Sequence, residues 1–111
     1  MAYNGSVIFI ETPLFTKLVP QHLSDEEYAE LQQVLLLRPK TGKVIPKSSG
    51  LQKIRWGVEQ RGKRGGLRVI YYWVTAEEKI YMLFLYKKNE QEDLTPEQLK
   101  FLRRLIQEYL A

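Results

Sequence analysis

The residues of this chain best suited to chemistry are cations gathered in its middle. Residues 38–68 contain ten lysines and arginines but only one acid, Glu59, so this segment carries a net charge of +9. The ten cations are Arg38, Lys40, Lys43, Lys47, Lys53, Arg55, Arg61, Lys63, Arg64 and Arg68. The whole chain carries +4, so the remainder sums to −5. A concentrated cationic patch attracts polyanions, which predicts RNA or DNA as the target or partner.

Such a set of cations could cleave RNA without a metal ion. Attack of a 2′-hydroxyl on the adjacent phosphate needs a proton acceptor, positive charge near the phosphate oxygens and a proton donor for the leaving oxygen. Arginine fits phosphate through its bidentate fork, and a lysine crowded by cations can exchange a proton. The chain has no cysteine and a single histidine, His22, for which we expect a structural or solvated role. We therefore expect neither a metal nor a cofactor.

Three helices are predicted from capping signals. Pro13 begins a short helix that we expect to end near Leu18, because Pro20 follows. Ser24 and Glu27 form a capping box for a second helix, which Pro39 stops near residue 37 or 38. A third helix begins after Thr95, with Pro96 at its first position and Gln98 in the capping-box position.

Four strands are predicted from apolar and β-branched runs at residues 6–11, 51–56, 67–75 and 79–86. Alternation puts Leu51, Lys53 and Arg55 on one face of the second strand, and Arg68 on the same face of the third as Ile70. Residues 57–66 read as a glycine-rich, cationic hairpin connection. Tyr71, Tyr72, Trp73 and Tyr81 are expected to pack in the core or on the sheet rather than to stack on bases.

The resulting order is β-α-α-β-β-β-α, an α+β fold. Short connections after Leu51 predict a twisted antiparallel sheet with the helices packed on one face. With 111 residues we expect one domain spanning 1–111. The absence of cysteine, of a signal-peptide pattern and of a long apolar run predicts a cytoplasmic protein without a membrane partner.

Four stretches together resemble the RelE/HigB toxins of bacterial type II toxin–antitoxin systems. They are Gly50-Leu-Gln-Lys-Ile-Arg55, Gly62-Lys-Arg-Gly-Gly-Leu-Arg-Val-Ile-Tyr-Tyr72, Leu85-Tyr-Lys-Lys-Asn-Glu90 and Leu94-Thr-Pro-Glu97. The longer basic hairpin and the Tyr-x-Lys-Asn-Glu ending resemble the HigB branch most. The resemblance implies a microbial-ribonuclease-like fold and cleavage of messenger RNA in the ribosomal A site. It also implies a small antitoxin partner, HigA-like with a helix-turn-helix. The composition adds that the cleavage should be metal-independent.

The resemblance also implies roles for individual residues. Arg68 would bind the scissile phosphate, with Lys53 and Arg55 as charge stabilisers and candidate bases. Some relatives carry a tyrosine as general acid where this chain has Leu94, which leaves Tyr86 and Lys88 as the candidates. Nucleic-acid contacts outside the catalytic set are expected from Arg61, Lys63, Arg64, Lys47 and Trp56, and Trp56 could instead meet the antitoxin.

Two other functions share this fold or this charge. A toxin of the ParE branch poisons DNA gyrase, but that branch generally lacks the cations represented here by Lys53, Arg55 and Arg68. A plain RNA-binding module would hold phosphates without cutting them. Translation arrest with new 5′ ends inside translated messages indicates the nuclease, DNA damage without such ends indicates the gyrase poison, and neither result indicates the binding module.

The basic hairpin yields the first prediction. Replacing Arg61, Lys63 and Arg64 together with alanine should weaken ribosome binding and reduce the slope of log affinity against log salt by roughly two to three, because each lost phosphate contact removes close to one unit. Binding measured over a salt series tests this. An unchanged slope would mean that the hairpin touches no phosphate.

Overall fold

Five strands form one mixed sheet that carries the cationic residues. The computed structural model describes residues 7–58 and 63–111. The strands are β1 (Ile8–Glu11), β2 (Lys43–Val44), β3 (Gln52–Val58), β4 (Lys63–Val74) and β5 (Lys79–Lys87). They are ordered β1-β5-β4-β3-β2 across the sheet. We predicted only four strands, and the strand that was missed is β2, which has two residues and is too short to show an alternating pattern. Strands β3 and β4 therefore extend into the connection that we predicted at residues 57–66, and residues 59–62 lie outside the described residues.

The strand directions agree with the sequence prediction except at one edge. The pairs β2–β3, β3–β4 and β4–β5 are antiparallel, whereas β1 runs parallel to β5. The antiparallel pairs are consecutive in sequence, and short connections reverse the chain between them. No such turn joins β1 to β5, since two helices and three strands intervene, so the direction of β1 was not fixed by connection length.

Three helices complete the fold: α1 (Pro13–His22), α2 (Asp25–Leu37) and α3 (Pro96–Leu110). The predicted capping boxes of α2 and α3 are both present, at Ser24 and Thr95. The prediction that α1 ends near Leu18 is wrong, because the helix continues through Pro20 to His22. Pro20 lies exposed in the last turn, where its missing N–H removes a single bond. None of the helices in the described part of the chain is long and apolar enough to cross a membrane.

The helices lie on both faces of the sheet, which differs from the arrangement on one face that we predicted. Helices α1 and α2 pack against Val69 and Tyr71, while α3 packs against Ile70 and its neighbours on the opposite face. Strand β4 is apolar on both sides at these positions, so both of its faces require a cover. The expected core role of Tyr71 and Tyr81 is confirmed, since both side chains are buried.

A β-bulge in β5 changes which side chains face α3. Ile70 pairs with Phe84 while Tyr71 pairs with Met82, so Leu83 is an extra residue without a partner on β4. Met82 and Leu85 consequently face α1 and α2, whereas Leu83 and Tyr86 face α3. Without the extra residue, strict alternation from Met82 would turn Tyr86 to the other face. The bulge therefore decides on which side of the sheet Tyr86 lies.

Thr12 ties this bulge to the start of α1. Its hydroxyl donates to the Leu83 carbonyl at 2.9 Å and accepts from the Phe15 N–H at 3.0 Å. Only 1% of Thr12 is exposed, so both bonds are shielded from water. The same side chain thus caps a helix and satisfies the carbonyl that the bulge leaves outside the ladder.

A second buried polar network attaches the segment before β2 to the sheet. The Tyr71 hydroxyl donates to the Pro39 carbonyl at 2.6 Å and accepts from the Gly42 N–H at 2.9 Å. The Gln52 amide donates to the Gly42 carbonyl at 2.9 Å. A Cβ at Gly42 would lie 2.8 Å from the Tyr71 ring, so only glycine permits this approach. The network fixes the position at which β2 begins at Lys43.

The bonds of Thr12 generate a prediction about stability. Thr12→Val keeps the shape but removes the hydroxyl, leaving the Leu83 carbonyl and the Phe15 N–H without it, and should lower the free energy of unfolding by about 1–3 kcal/mol. Thr12→Ser keeps the hydroxyl and should cost clearly less. Urea unfolding of both variants tests the claim. Equal stability of the valine and serine variants would contradict the role of the hydroxyl.

Candidate active site

Three predicted catalytic side chains form a row across the sheet. Arg55 on β3 lies directly opposite Arg68 on β4, and Arg68 lies directly opposite Tyr86 on β5. Directly opposed residues on neighbouring strands point to the same face, with Cβ atoms about 4.5–5.5 Å apart. The sheet register therefore places two guanidinium groups and a phenol side by side, on the face that α3 partly covers.

Two lysines flank this row. Lys53 precedes Arg55 by two residues on β3 and so shares its face. Lys88 follows Tyr86 by two residues, and its N–H donates to the Gly66 carbonyl at 2.9 Å, which prolongs the β4–β5 ladder. An open groove of about 680 Å³ is lined by Lys53, Arg55, Arg68 and Lys88. Four of the five residues that we predicted to be catalytic thus lie around one groove.

Arg68 is the most enclosed cation of the row. Only 7% of it is exposed, and its guanidinium donates to the Leu67 carbonyl at 3.2 Å. Arg55, by contrast, is exposed. A charge held by its surroundings loses little freedom when it binds an anion, and it acts in a medium of lower polarity than water. Arg68 is therefore the arginine best preorganised to bind a phosphate.

Tyr86 closes the row and is almost completely buried. Its hydroxyl donates to the Glu92 carbonyl at 3.4 Å, and only 3% of the residue is exposed. Burial raises the pKa of Tyr86, and the negative charge of Asp93 raises it further, while the positive charge of Arg68 opposes them. The phenol consequently stays protonated at neutral pH. It can donate a proton or a hydrogen bond, but it is unsuited to accept a proton.

The structure adds an acid that the sequence analysis missed. Lys53 Nζ lies 2.8 Å from Asp93 Oδ1, with 26% of the lysine side chain and 75% of the aspartate side chain exposed. The hydrogen bond from Lys53, followed by its charge and that of Arg68, lowers the pKa of Asp93. Glu92 also lines the groove. Both acids lie outside the cationic segment 38–68, yet the short distance in sequence from Tyr86 to the Thr95 cap could have indicated that residues 92 and 93 lie beside the site.

Of the predicted nucleic-acid contacts, the structure describes the side chains of Lys47 and Trp56. Lys47 is exposed in the loop between β2 and β3, with a left-handed φ of 61°. Trp56 follows Arg55 on β3, so its side chain lies on the other face of the sheet, where it packs on the side of α1 and α2. It also lines the margin of the groove. Arg61 and the side chains of Lys63 and Arg64 lie outside the described residues. His22 ends α1, away from the row of cations.

Comparison with protein families relates this groove to a known group of proteins. The family model described as the RelE toxin of the RelE / RelB toxin–antitoxin system matches residues 40–111. The match covers β2 to β5 and α3, and with them every residue of the groove from Thr41 onwards. The chain belongs to the RelE toxin family. The resemblance seen in the sequence is thereby confirmed at the level of the family, and toxins of this family pair with antitoxins. Membership of the HigB branch stays a prediction.

No group of three or more histidine, cysteine, aspartate or glutamate side chains able to hold a metal ion occurs in residues 7–58 and 63–111. The groove instead combines cations with two acids, Glu92 and Asp93. Positive charge aimed at one point can stabilise a phosphate whose negative charge increases during a reaction. The arrangement therefore suits binding and activation of a phosphodiester.

The Lys53–Asp93 ion pair generates a prediction about titration. Because Lys53 lowers the pKa of Asp93, the pair persists at neutral pH and is lost as the pH falls through that lowered value. In Lys53→Met, the pKa of Asp93 should rise toward its ordinary value. Carboxyl NMR titration of both proteins measures this. Lys79→Met is the matched control, since Lys79 pairs with Glu77, and an Asp93 pKa that moves equally in both variants would contradict the assignment.

Proposed function

We propose that this RelE-family toxin is a ribosome-dependent endoribonuclease that cleaves translated messenger RNA by attack of a 2′-hydroxyl on the adjacent phosphate. The observation that carries the proposal is the enclosed Arg68, set between Arg55 and Tyr86 in one row and flanked by two lysines. The family is one of messenger-RNA-cleaving toxins, which supports the same reaction class. No step of the proposed mechanism uses a metal ion.

The phosphate binds at the arginines in this mechanism. Arg68 offers its planar fork to the non-bridging oxygens, and the exposed Arg55 adds a second positive charge from the neighbouring strand. As the 2′-oxygen bonds to phosphorus and the bond to the 5′-oxygen breaks, negative charge accumulates on those oxygens. Fixed positive charge stabilises that state more than the bound substrate. The products are a 2′,3′-cyclic phosphate and a 5′-hydroxyl end.

We assign the proton transfers to the residues beside the two arginines, namely Lys53, Lys88 and Tyr86. Lys53, flanked by Lys43 on β2 and Arg55 on its own strand, is our candidate acceptor for the 2′ proton. Asp93 must release Lys53 for this, and an exposed pair of this kind is held by little free energy. Lys88 is exposed at the end of β5 and suits the donor role. Tyr86 stays protonated but is nearly buried, so we assign it to holding the row in place and keep it as the second candidate donor.

The open form of the groove supports dependence on the ribosome. Its cations suit phosphate oxygens rather than base edges, and an open groove does not hold a flexible free strand in one conformation. In-line attack requires the 2′-hydroxyl and the leaving oxygen on opposite sides of phosphorus, and the A site presents messenger RNA in a fixed conformation. We further propose that a helix-turn-helix antitoxin of the HigA type is the cognate partner. We also propose that the protein acts in the cytoplasm, because the ribosome and the antitoxin both occur there.

The gyrase-poisoning function of the ParE branch remains the alternative outcome of the test. Poisoning a topoisomerase does not require the arginines of two neighbouring strands to be directed at one phosphate. DNA damage without new messenger RNA ends would therefore assign the gyrase-poisoning function in place of the proposed one.

The role of Arg68 generates the central prediction about activity. Arg68→Gln keeps a polar side chain, shorter than that of arginine, and removes the charge. Cleavage in a translating extract, read as new 5′ ends in a reporter message, should fall by about 10²–10³. The loss should appear in the cleavage rate at saturating toxin, because the charge stabilises the reacting phosphate.

Arg104→Gln is the matched control for this variant. Arg104 is exposed on α3 and contributes to the same net charge, but it does not belong to the row. It should cleave at the rate of the unmodified protein, and circular dichroism should show both variants folded. A folded Arg68→Gln protein with full cleavage would exclude Arg68 from the reaction.

A further inference from the structure

A second, mostly apolar groove adjoins the groove lined by Lys53, Arg55, Arg68 and Lys88, which we call the cationic groove. It measures about 410 Å³ and is lined by five apolar residues together with three charged ones. The apolar residues are Val44, Ile45, Pro46, Leu94 and Leu99. The charged residues, Lys43, Lys53 and Asp93, also line the cationic groove, so the two grooves are continuous.

Lys43, Lys53 and Asp93 form the border between the two grooves. Lys43 on β2 lies directly opposite Lys53 on β3, and Lys53 holds the Asp93 carboxylate at 2.8 Å. The apolar surface begins at once beyond this border, because Val44 follows Lys43 and Leu94 follows Asp93 in the chain. Two ammonium groups and one carboxylate therefore separate a surface for anions from a surface for apolar groups.

A ligand that fills both grooves must carry an anion and an apolar group a short distance apart. A nucleotide has this form, since one ribose separates its phosphate from a flat base whose faces are apolar. We propose that the apolar groove is a subsite for an RNA base next to the phosphate bound by the lysines of the border. This inference rests on the proposed nuclease function and names the part of the substrate that the second groove takes.

The carboxylate at the border indicates which bases fit. Asp93 is ionised at neutral pH, because Lys53 lowers its pKa, and an ionised carboxylate only accepts hydrogen bonds. Acidic side chains accept from the amino group of cytosine, whereas uracil presents a carbonyl oxygen at the same position. The subsite should therefore favour bases that carry an amino group. The same negative charge opposes an acidic peptide, which is the other ligand that the lysines could attract.

Methyl NMR of the purified full chain tests this directly. The probes are cytidine 5′-monophosphate, uridine 5′-monophosphate and ribose 5-phosphate, which share one phosphate and differ in the base. The cytidine nucleotide should shift the methyl signals of Val44, Ile45, Leu94 and Leu99, whereas ribose 5-phosphate should leave them in place. One hydrogen bond to Asp93 should make cytidine bind about five-fold more tightly than uridine.

The variant Asp93→Asn supplies the matched comparison. Asparagine keeps the size of the side chain but can donate as well as accept, so the preference for cytidine over uridine should disappear while the methyl shifts persist. The proposal is overturned if no nucleotide shifts these methyl signals, if ribose 5-phosphate shifts them equally, or if uridine binds as tightly as cytidine to the unmodified protein. Methyl shifts with an acidic leucine-containing peptide but not with nucleotides would also overturn it and assign the groove to a protein partner. Mononucleotides are not cleaved, so any of these results is independent of whether the protein cuts messenger RNA.

Discussion

The single extra residue in β5 is the constraint on which the site depends. The row of Arg55, Arg68 and Tyr86 requires three strands to present side chains to one face at the same level. Strict alternation through β5 would direct Tyr86 and Lys88 to the face covered by α1 and α2. The extra residue Leu83 shifts the alternation by one position, so Tyr86 lies on the face of α3 instead. The Thr12 hydroxyl donates a hydrogen bond to the Leu83 carbonyl. The first turn of α1 thus helps to place side chains on the opposite face of the sheet.

The charges of the site are balanced by residues far apart in sequence. Ten cations between residues 38 and 68 would repel one another if no acid approached them. Asp93, from the connection between β5 and α3, binds Lys53 and lies within the electrostatic reach of Arg68. Because Asp93 is largely exposed, a phosphate can displace it at small cost. The Asp93 carboxylate therefore lies beside Lys53 in a position that a substrate anion could take.

The sequence was sufficient where the pattern is local and regular. Alternation correctly placed Lys53 and Arg55 on one face of β3, and Arg68 on the same face of β4 as Ile70, although only the register between the strands joins these faces. The caps at Ser24 and Thr95 correctly marked two helix starts. It was insufficient where a feature depends on contacts between distant segments. Three features are of this kind: the bulge at Leu83, the placement of α3 on the second face and the pairing of Asp93 with Lys53. Each depends on residues distant in sequence, which a local pattern does not identify. Pro20 shows the same limit, since burial of Val19 and Leu23 outweighs the cost of one proline in the last turn of α1.

The central claim is that the cations of the row stabilise attack by a 2′-hydroxyl on a phosphate of translated messenger RNA. The most direct measurement uses a reporter message cut by the toxin in a translating extract, with a single 2′-deoxynucleotide placed on the 5′ side of the mapped cleavage position. Our account predicts that the all-ribose message is cut to a 2′,3′-cyclic phosphate and a 5′-hydroxyl, and that the substituted message is not cut there while translation proceeds normally. Cleavage of the 2′-deoxy message at the same position and rate would contradict it, because the attacking group would then not come from the RNA.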